Sequence, residues 1–423
     1  MDDMRRRGPA TVPGRSCNAT RKGKAQDVEE PGARRPAATS KSFVEKEGFL
    51  DLCPKTVFLF FYVYAILRLL IEGIMKLLSE TLQKIEAPDR SIGCRVKQDL
   101  ARLLPPPRSF GRLGDMIGQY ASVIRELQPR DPSPCMVVTC ADHGVARNGI
   151  SAYPVDTTRQ MTLNYVVSKG ASANAFANYS GSDMAVVDVG VVGDLSGAPG
   201  LWHRKIAEGT KDFTQGAAMT REQAVQAIEA GIEIVNEKVR QGYNCFSLGE
   251  MGIGNTTASA VIVSVFTGLS PAEVTGRGTG ISDAKLKIKT DLVRKALERN
   301  KPKSKDGLDV LSKVGGFEIG ALSGVVLGAA ANHCVVVVDG LNTTVSAMIA
   351  NAIHPVSRQY LLASHLSGEP AHITALGHLD LEPCLDVGVR LGEAIGASVV
   401  VEMLKMSVKM YRSMISAAVK EGR

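Results

Sequence analysis

Four short runs constrain this chain more than any other feature: CMVVTC (135–140), MAVVDVGV (184–191), FSLGE (246–250) and CVVVVD (334–339). They are β-rich and nearly continuous in apolar character, the pattern of strands covered on both faces rather than strands with one wet face. Helical segments lie between them. Thr220-Arg-Glu-Gln223 is a capping box, and it opens a run with Ala224, Ile228, Ile232 and Val235 on one face. A second helix is expected over about 282–300, with Leu286, Leu292 and Leu297 as its apolar residues, and a long one over roughly 391–419. Alternating buried strands and helices imply an α/β fold, a parallel sheet flanked by helices with right-handed crossovers. Three of the strand candidates end alike, in Asp142-His-Gly, Asp188-Val-Gly and Asp339-Gly. One such Asp is usually a cap or turn residue. Three together favour a site at the carboxyl edge, where ligands bind in open α/β sheets.

The stretch GEMGIGNTT (249–257) follows a strand and opens a helix expected over 258–266. Backbone N–H groups and a helix N-terminus therefore face one concavity, a ready anion site. Residues 249–256 fit the phosphate-loop spacing G-x-x-x-x-G-K-[ST], except that Asn255 stands where the lysine belongs. That argues against a nucleoside triphosphatase and for a less charged phosphate. The competing reading is a glycine turn kept for packing, although Glu250, Asn255, Thr256 and Thr257 bring several polar groups to it. A second loop, GRGTG (276–280), precedes a helix carrying Lys285, Lys287 and Lys289. Three alternating lysines are more often a solvated face than a ligand set. Arg390-Leu-Gly-Glu-Ala-Ile-Gly396 sets a carboxylate between glycines, after the polar run Ser364-His-Leu-Ser-Gly-Glu369. Such a carboxylate can serve as a general base, but spacing alone favours an exposed turn glutamate.

Composition removes several classes. With 44% hydrophobic and 22% charged residues, the 423-residue chain is neither disordered throughout nor a rod. One Trp and 5% aromatics argue against nucleobase-stacking platforms. Of the net charge of +7, residues 1–42 hold ten Arg/Lys against five Asp/Glu, while the rest holds forty against thirty-eight. The body is nearly neutral, which argues against nucleic-acid binding. Eight cysteines include no CxxC pair, and seven histidines show no HExxH spacing, so a metal has no support. Cys140, Cys245 and Cys334 lie inside apolar runs, as free thiols do in a cytoplasmic or other reducing compartment.

The domain reading has three parts: a basic tail (1–48), an apolar helical extension (49–82) and a body (83–423). In the extension, TVFLFFYVYAIL (56–67) is uncharged, but Arg68, Glu72 and Lys76 interrupt its continuation. A spanning helix needs ~20 apolar residues. A short membrane anchor contacting lipid through residues 56–75, an organelle-targeting element and a helix packed on the body all fit. Within the body, Pro105-Pro106-Pro107 forms a stiff joint.

The motifs together resemble the nicotinate-nucleotide–dimethylbenzimidazole phosphoribosyltransferase family of cobalamin lower-ligand assembly. The matches run in family order: ADHGVARNGISAYP (141–154), GTKDFTQGAAMTREQA (209–224), GEMGIGNTTASA (249–260), GRGTG (276–280), DVLSKVGGFEI (309–319), VVVVDG (335–340), SHLSGEP (364–370) and LEPCLDVGVRLGE (381–393). LLPPPRSFGRL (103–113) looks like the family's proline-rich start. The resemblance implies transfer of the ribose phosphate of nicotinate mononucleotide to 5,6-dimethylbenzimidazole, without a cofactor or metal. It implies Glu393 as catalytic base and Glu250 as supporting carboxylate. Substrate-binding positions would be Asp142, Gly252, Gly254, Asn255, Thr256, Gly278, Lys289, Ser367 and Arg390, with Tyr153, Met161 and Met251 at the benzimidazole. The implied fold is a Rossmann-like sheet (about 131–394) plus a small helical domain from about 83–130 and 395–423, assembled as a homodimer. Where the family usually follows its catalytic Glu with Gly and a small hydroxyl residue, this chain has Ala394 and Ile395.

Overall fold

The computed structural model describes residues 76–104 and 106–420; the basic tail and the apolar run at 56–75 lie outside them. The sheet has six strands: β1 (Pro134–Ala141), β2 (Asp183–Gly190), β3 (Leu201–His203), β4 (Cys245–Met251), β5 (Val335–Val338) and β6 (Leu361–Ala363). All pair in parallel, in the order β3-β2-β1-β4-β5-β6. This is the doubly wound arrangement, and its direction of winding reverses between β1 and β4. β1 and β5 are buried along their whole length, as their nearly continuous apolar runs require. The four expected strands form within about a residue of their sequence bounds. The sequence reading contains no counterpart of β3 or β6.

The helices are α1 (Lys76–Lys84), α2 (Arg90–Leu103), α3 (Gly111–Ile124), α4 (Thr157–Leu163), α5 (Ser172–Ser180), α6 (Arg221–Arg240), α7 (Asn255–Thr267), α8 (Pro271–Val274), α9 (Asp283–Asn300), α10 (Gly307–Val314), α11 (Phe317–Ala331), α12 (Leu341–Ile353), α13 (His372–His378) and α14 (Ile395–Lys420). The capping box forms as expected: the Gln223 amide donates to Thr220 Oγ1 (3.2 Å) and the Thr220 amide to Gln223 Oε1 (3.0 Å). Helix α11 is buried on nearly every side between α6 and the sheet. Helices α2, α3 and α14 share a small apolar cluster of Val96, Leu100, Ile117, Ala121 and Tyr411.

Residues 76–82, counted with the extension in the sequence reading, pack on the body. Leu78 joins the main core, and its amide donates to Glu229 Oε1 of α6 (2.9 Å). Among the described residues, no helix is long and apolar enough to cross a membrane. Cys135, Cys140, Cys245 and Cys334 are buried. Burial pushes the thiols of Cys135 and Cys334 up to about 12 and also raises those of Cys140 and Cys245. All four act as small hydrophobes.

Candidate active site

Parallel register aligns Thr139 with Glu250 and Cys140 with Met251, so the carboxyl ends of β1 and β4 open side by side at the switch point. The turn after β4 ends at Gly254, whose φ of +102° favours glycine and starts α7 without any side-chain cap. An uncapped helix N-terminus is what an anion requires. The amides are not a free consecutive row, however. Ile253 donates to Thr158 Oγ1 (3.1 Å), Asn255 to the Gly252 carbonyl (3.1 Å) and Thr257 to the Gly254 carbonyl (3.0 Å). What the turn offers an anion is narrowed to the interleaved amides and the start of α7. Asn255, in the lysine position of the phosphate-loop pattern, donates its side-chain amide to Glu250.

Three carboxylates from distant parts of the chain surround this crevice. Glu250 accepts from Asn255 and from Asn342 Nδ2 (2.9 Å). Burial pushes its carboxyl up to about 7, with Glu318, Asp339 and Glu393 adding repulsion against the Asn342 bond. Asp339, at the end of β5, accepts the Ala397 amide (2.9 Å) and so caps α14. Burial lifts it to about 7 as well, partly offset by the amides of Ala397, Gly396 and Ala394. Gly396 lets the first turn of α14 approach, since a Cβ there would sit 2.0 Å from His365 Nδ1. Immediately before this anchored helix lies Glu393. It and Ala394 adopt left-handed φ values of +67° and +63°, sparsely populated for such residues. The turn brings Gly392 against Glu250, with the Cβ position of Gly392 only 2.9 Å from Glu250 Oε1. Burial also raises Glu393, opposed by the Tyr165 hydroxyl and the Ala173 amide. Both Glu393 Oε2 and the Tyr165 hydroxyl are buried and lack a hydrogen-bond partner of good geometry. The base candidate therefore has an oxygen free to take a proton.

Lys289 corrects the solvated-face reading: its side chain is buried, at 1% exposure, while Lys287 is exposed. Its Nζ donates to Thr256 Oγ1 (2.8 Å) and the Gly276 carbonyl (3.1 Å), clamping the GRGTG loop to the start of α7. Burial lowers this amine to about 8, opposed by Glu369. Gly278 donates its amide to Glu369 Oε1 (2.8 Å). Ser367 is held through its amide on His372 Nδ1 (2.9 Å), its hydroxyl buried without a partner. Arg390 is exposed and lies across Gly368, its Nε 3.0 Å from the Cβ position.

The remaining candidates are distributed differently. Met161 on α4 and Met251 at the end of β4 are half-buried beside the turn. Tyr153 is 58% exposed on a segment tied to the GRGTG loop, where the Ala152 amide donates to Thr279 Oγ1 (2.9 Å). Asp142 is buried, and its Oδ2 accepts the Val192 amide (2.8 Å). Asp188 likewise accepts the amides of Gly190 and Val191. These two strand-end carboxylates fix the loops of the edge. Sequence reasoning missed Tyr165, Asn342 and His365, and missed the pair His143–Glu318 beneath the turn. Tyr165 lies on a π-helical turn (Asn164–Ser168), a local irregularity frequent at functional sites but without a sequence signature.

A pH dependence follows. A base must be deprotonated, and burial holds Glu393 above the ordinary 4.5 of a glutamate. The acid limb of kcat/KM should therefore lie above that value, broadened by coupling to Glu250 and Asp339. A pH–rate profile checks this; a limb at or below 4.5 would remove the buried carboxylates from control of the rate.

The fold is that of a doubly wound α/β enzyme, with a glycine turn and a cluster of carboxylates gathered at its switch point. A family model described as a phosphoribosyltransferase matches residues 85–419. The chain is 43% identical over 344 residues to the nicotinate-nucleotide–dimethylbenzimidazole phosphoribosyltransferase of Chloroflexus aggregans, covering 81% of this chain and 97% of that one. It is 42% identical over 345 residues to the protein of the same name from Desulforamulus reducens, covering 81% and 98%. The crystal structure of CobT from Thermus thermophilus matches with a TM-score of 0.73 at 38% identity, over 76% of this chain and 96% of that one. The chain belongs to the nicotinate-nucleotide–dimethylbenzimidazole phosphoribosyltransferase family.

Proposed function

We propose that this protein transfers the ribose 5-phosphate of nicotinate mononucleotide to 5,6-dimethylbenzimidazole, giving α-ribazole 5′-phosphate and nicotinate, a step of cobalamin lower-ligand assembly. The observation that carries the site assignment is the convergence of Glu250 and the Gly392–Glu393 turn beside the uncapped start of α7. In this reading the turn at Gly252–Thr256, with Gly278, Ser367 and the Lys289 clamp, holds the phosphate, and Met161, Met251 and Tyr153 flank the azole. Arg390 approaches the substrate from the open side, and Asp142 holds the edge from below. Glu393 Oε2 takes the proton from one benzimidazole nitrogen while the other nitrogen forms a bond to C1′. The bond from C1′ to the pyridinium nitrogen breaks, its electron pair returns to that nitrogen, and nicotinate leaves with a neutral ring. Attack opposite the leaving group inverts C1′, which gives the α product. Positive charge developing on the ribose faces Glu250, a preorganised carboxylate. Positioning supplies much of the rest.

The leaving group needs neither acid nor metal. A chelator should leave the rate of nicotinate release unchanged, and loss of turnover in EDTA would contradict the scheme. The active form in this reading is a homodimer in a reducing compartment.

A further inference from the structure

Beneath the turn after β4 lies a buried pair that the scheme above does not use. His143 Nε2 is 2.6 Å from Glu318 Oε1, and both side chains are 0% exposed. His143 follows the end of β1, and Glu318 sits in the first turn of α11, where the helix dipole favours a carboxylate. The imidazole forms the floor of the turn: the Cβ position of Gly252 is 3.4 Å from its Cδ2, and that of Gly254 is 3.2 Å from its Cβ. The chain clears room for the pair at Gly316, where a Cβ would meet His143 Cε1 at 2.4 Å and Glu318 Oε2 at 2.5 Å. His143 Nδ1 and Glu318 Oε2 have no hydrogen-bond partner.

The location makes the charge of the pair matter. Breaking a buried ion pair by removing one partner leaves the other charge uncompensated. A lone carboxylate under a cradle for a phosphate would oppose the ligand it is meant to hold. The groups facing the imidazole are Glu318 from α11, Asp142 from its own loop and Glu250 from β4. Burial pulls His143 down, but the charge and hydrogen bond of Glu318, with Asp142 and Glu250, outweigh it and leave it raised. We propose that His143 is a positioning residue whose charge cancels that of Glu318 beneath the turn and so keeps the turn able to hold the substrate phosphate. This rests on the reading that the turn holds the phosphate.

The test compares binding of nicotinate mononucleotide and of dimethylbenzimidazole, by calorimetry, to the full chain and to H143Q, E318Q and the double variant. H143Q should weaken mononucleotide binding by about tenfold or more, because it strands a like charge, with azole binding within about threefold of the parent. E318Q and the double variant, which carry no stranded carboxylate, should each bind the mononucleotide within about threefold of the parent. A merely structural disturbance of the turn could also be relieved in the double variant, so the discriminating readout is the selective loss of mononucleotide over azole binding. Equal weakening of both ligands in H143Q, or a double variant as weak as H143Q, overturns the proposal. Should H143Q fail to fold, a loss of about tenfold in mononucleotide affinity in the double variant also overturns it. A parent chain that binds no mononucleotide overturns the phosphate reading itself, whereas loss of ligand selectivity among the variants overturns only the role of the pair.

Discussion

Replacing Glu393 by glutamine should lower kcat on the order of 10²–10⁴-fold, the usual contribution of a positioned general base. Glutamine matches the shape of the residue but cannot accept the azole proton. The turn that presents it is fixed by the Asp339 cap on α14 and by Gly392 against Glu250, neither of which involves the Glu393 side chain. The fold and the affinity for nicotinate mononucleotide should therefore persist. Nor does the substitution remove a stabilising charge, because burial already disfavours the ionised carboxyl. Single-turnover kinetics with calorimetric binding separate the two effects. Near-normal kcat would take Glu393 out of the mechanism.

The second large effect concerns the proposed phosphate cradle. Gly254→Val should weaken mononucleotide binding on the order of 10²-fold, comparable to losing a preorganised backbone donor set. Two independent causes act together. A β-branched residue does not tolerate φ of +102°, and its Cβ would lie 3.2 Å from the Cβ atoms of both His143 and Ala146. The start of α7 must shift, carrying the amides away from the phosphate. Azole binding, proposed at Met161 and Met251, should change little. Equal loss for both substrates, or loss of folding by circular dichroism, would instead make Gly254 a packing residue.

Legibility in the sequence follows physical lines. Strands β1, β2, β4 and β5 are readable because burial on both faces writes a nearly continuous apolar run. Leu201–His203 and Leu361–Ala363 are not, because three residues are too few to show any period. The long C-terminal helix is expected from about 391 but begins at Ile395. The difference is the left-handed pair Glu393–Ala394, and neither residue type announces positive φ as glycine or asparagine would. The glycine turn before α7 is legible because strand, glycines and helix start are contiguous. Lys289 and Glu393 are not separable by spacing from a solvated lysine and a turn glutamate; the family resemblance singles them out, and burial distinguishes them. His143 and Glu318 are 175 positions apart, so nothing local joins them. The same holds for Asn342 and Glu250, which only the neighbouring strands β4 and β5 bring together.

The most direct measurement is a product analysis of the purified full chain with nicotinate mononucleotide and 5,6-dimethylbenzimidazole, followed by mass spectrometry and by the NMR coupling at C1′. The account predicts nicotinate and ribazole 5′-phosphate in equal amounts, the ribazole entirely in the α configuration, and none formed when the azole is omitted. Nicotinate released without azole, a β product, or bound mononucleotide that never turns over would contradict it.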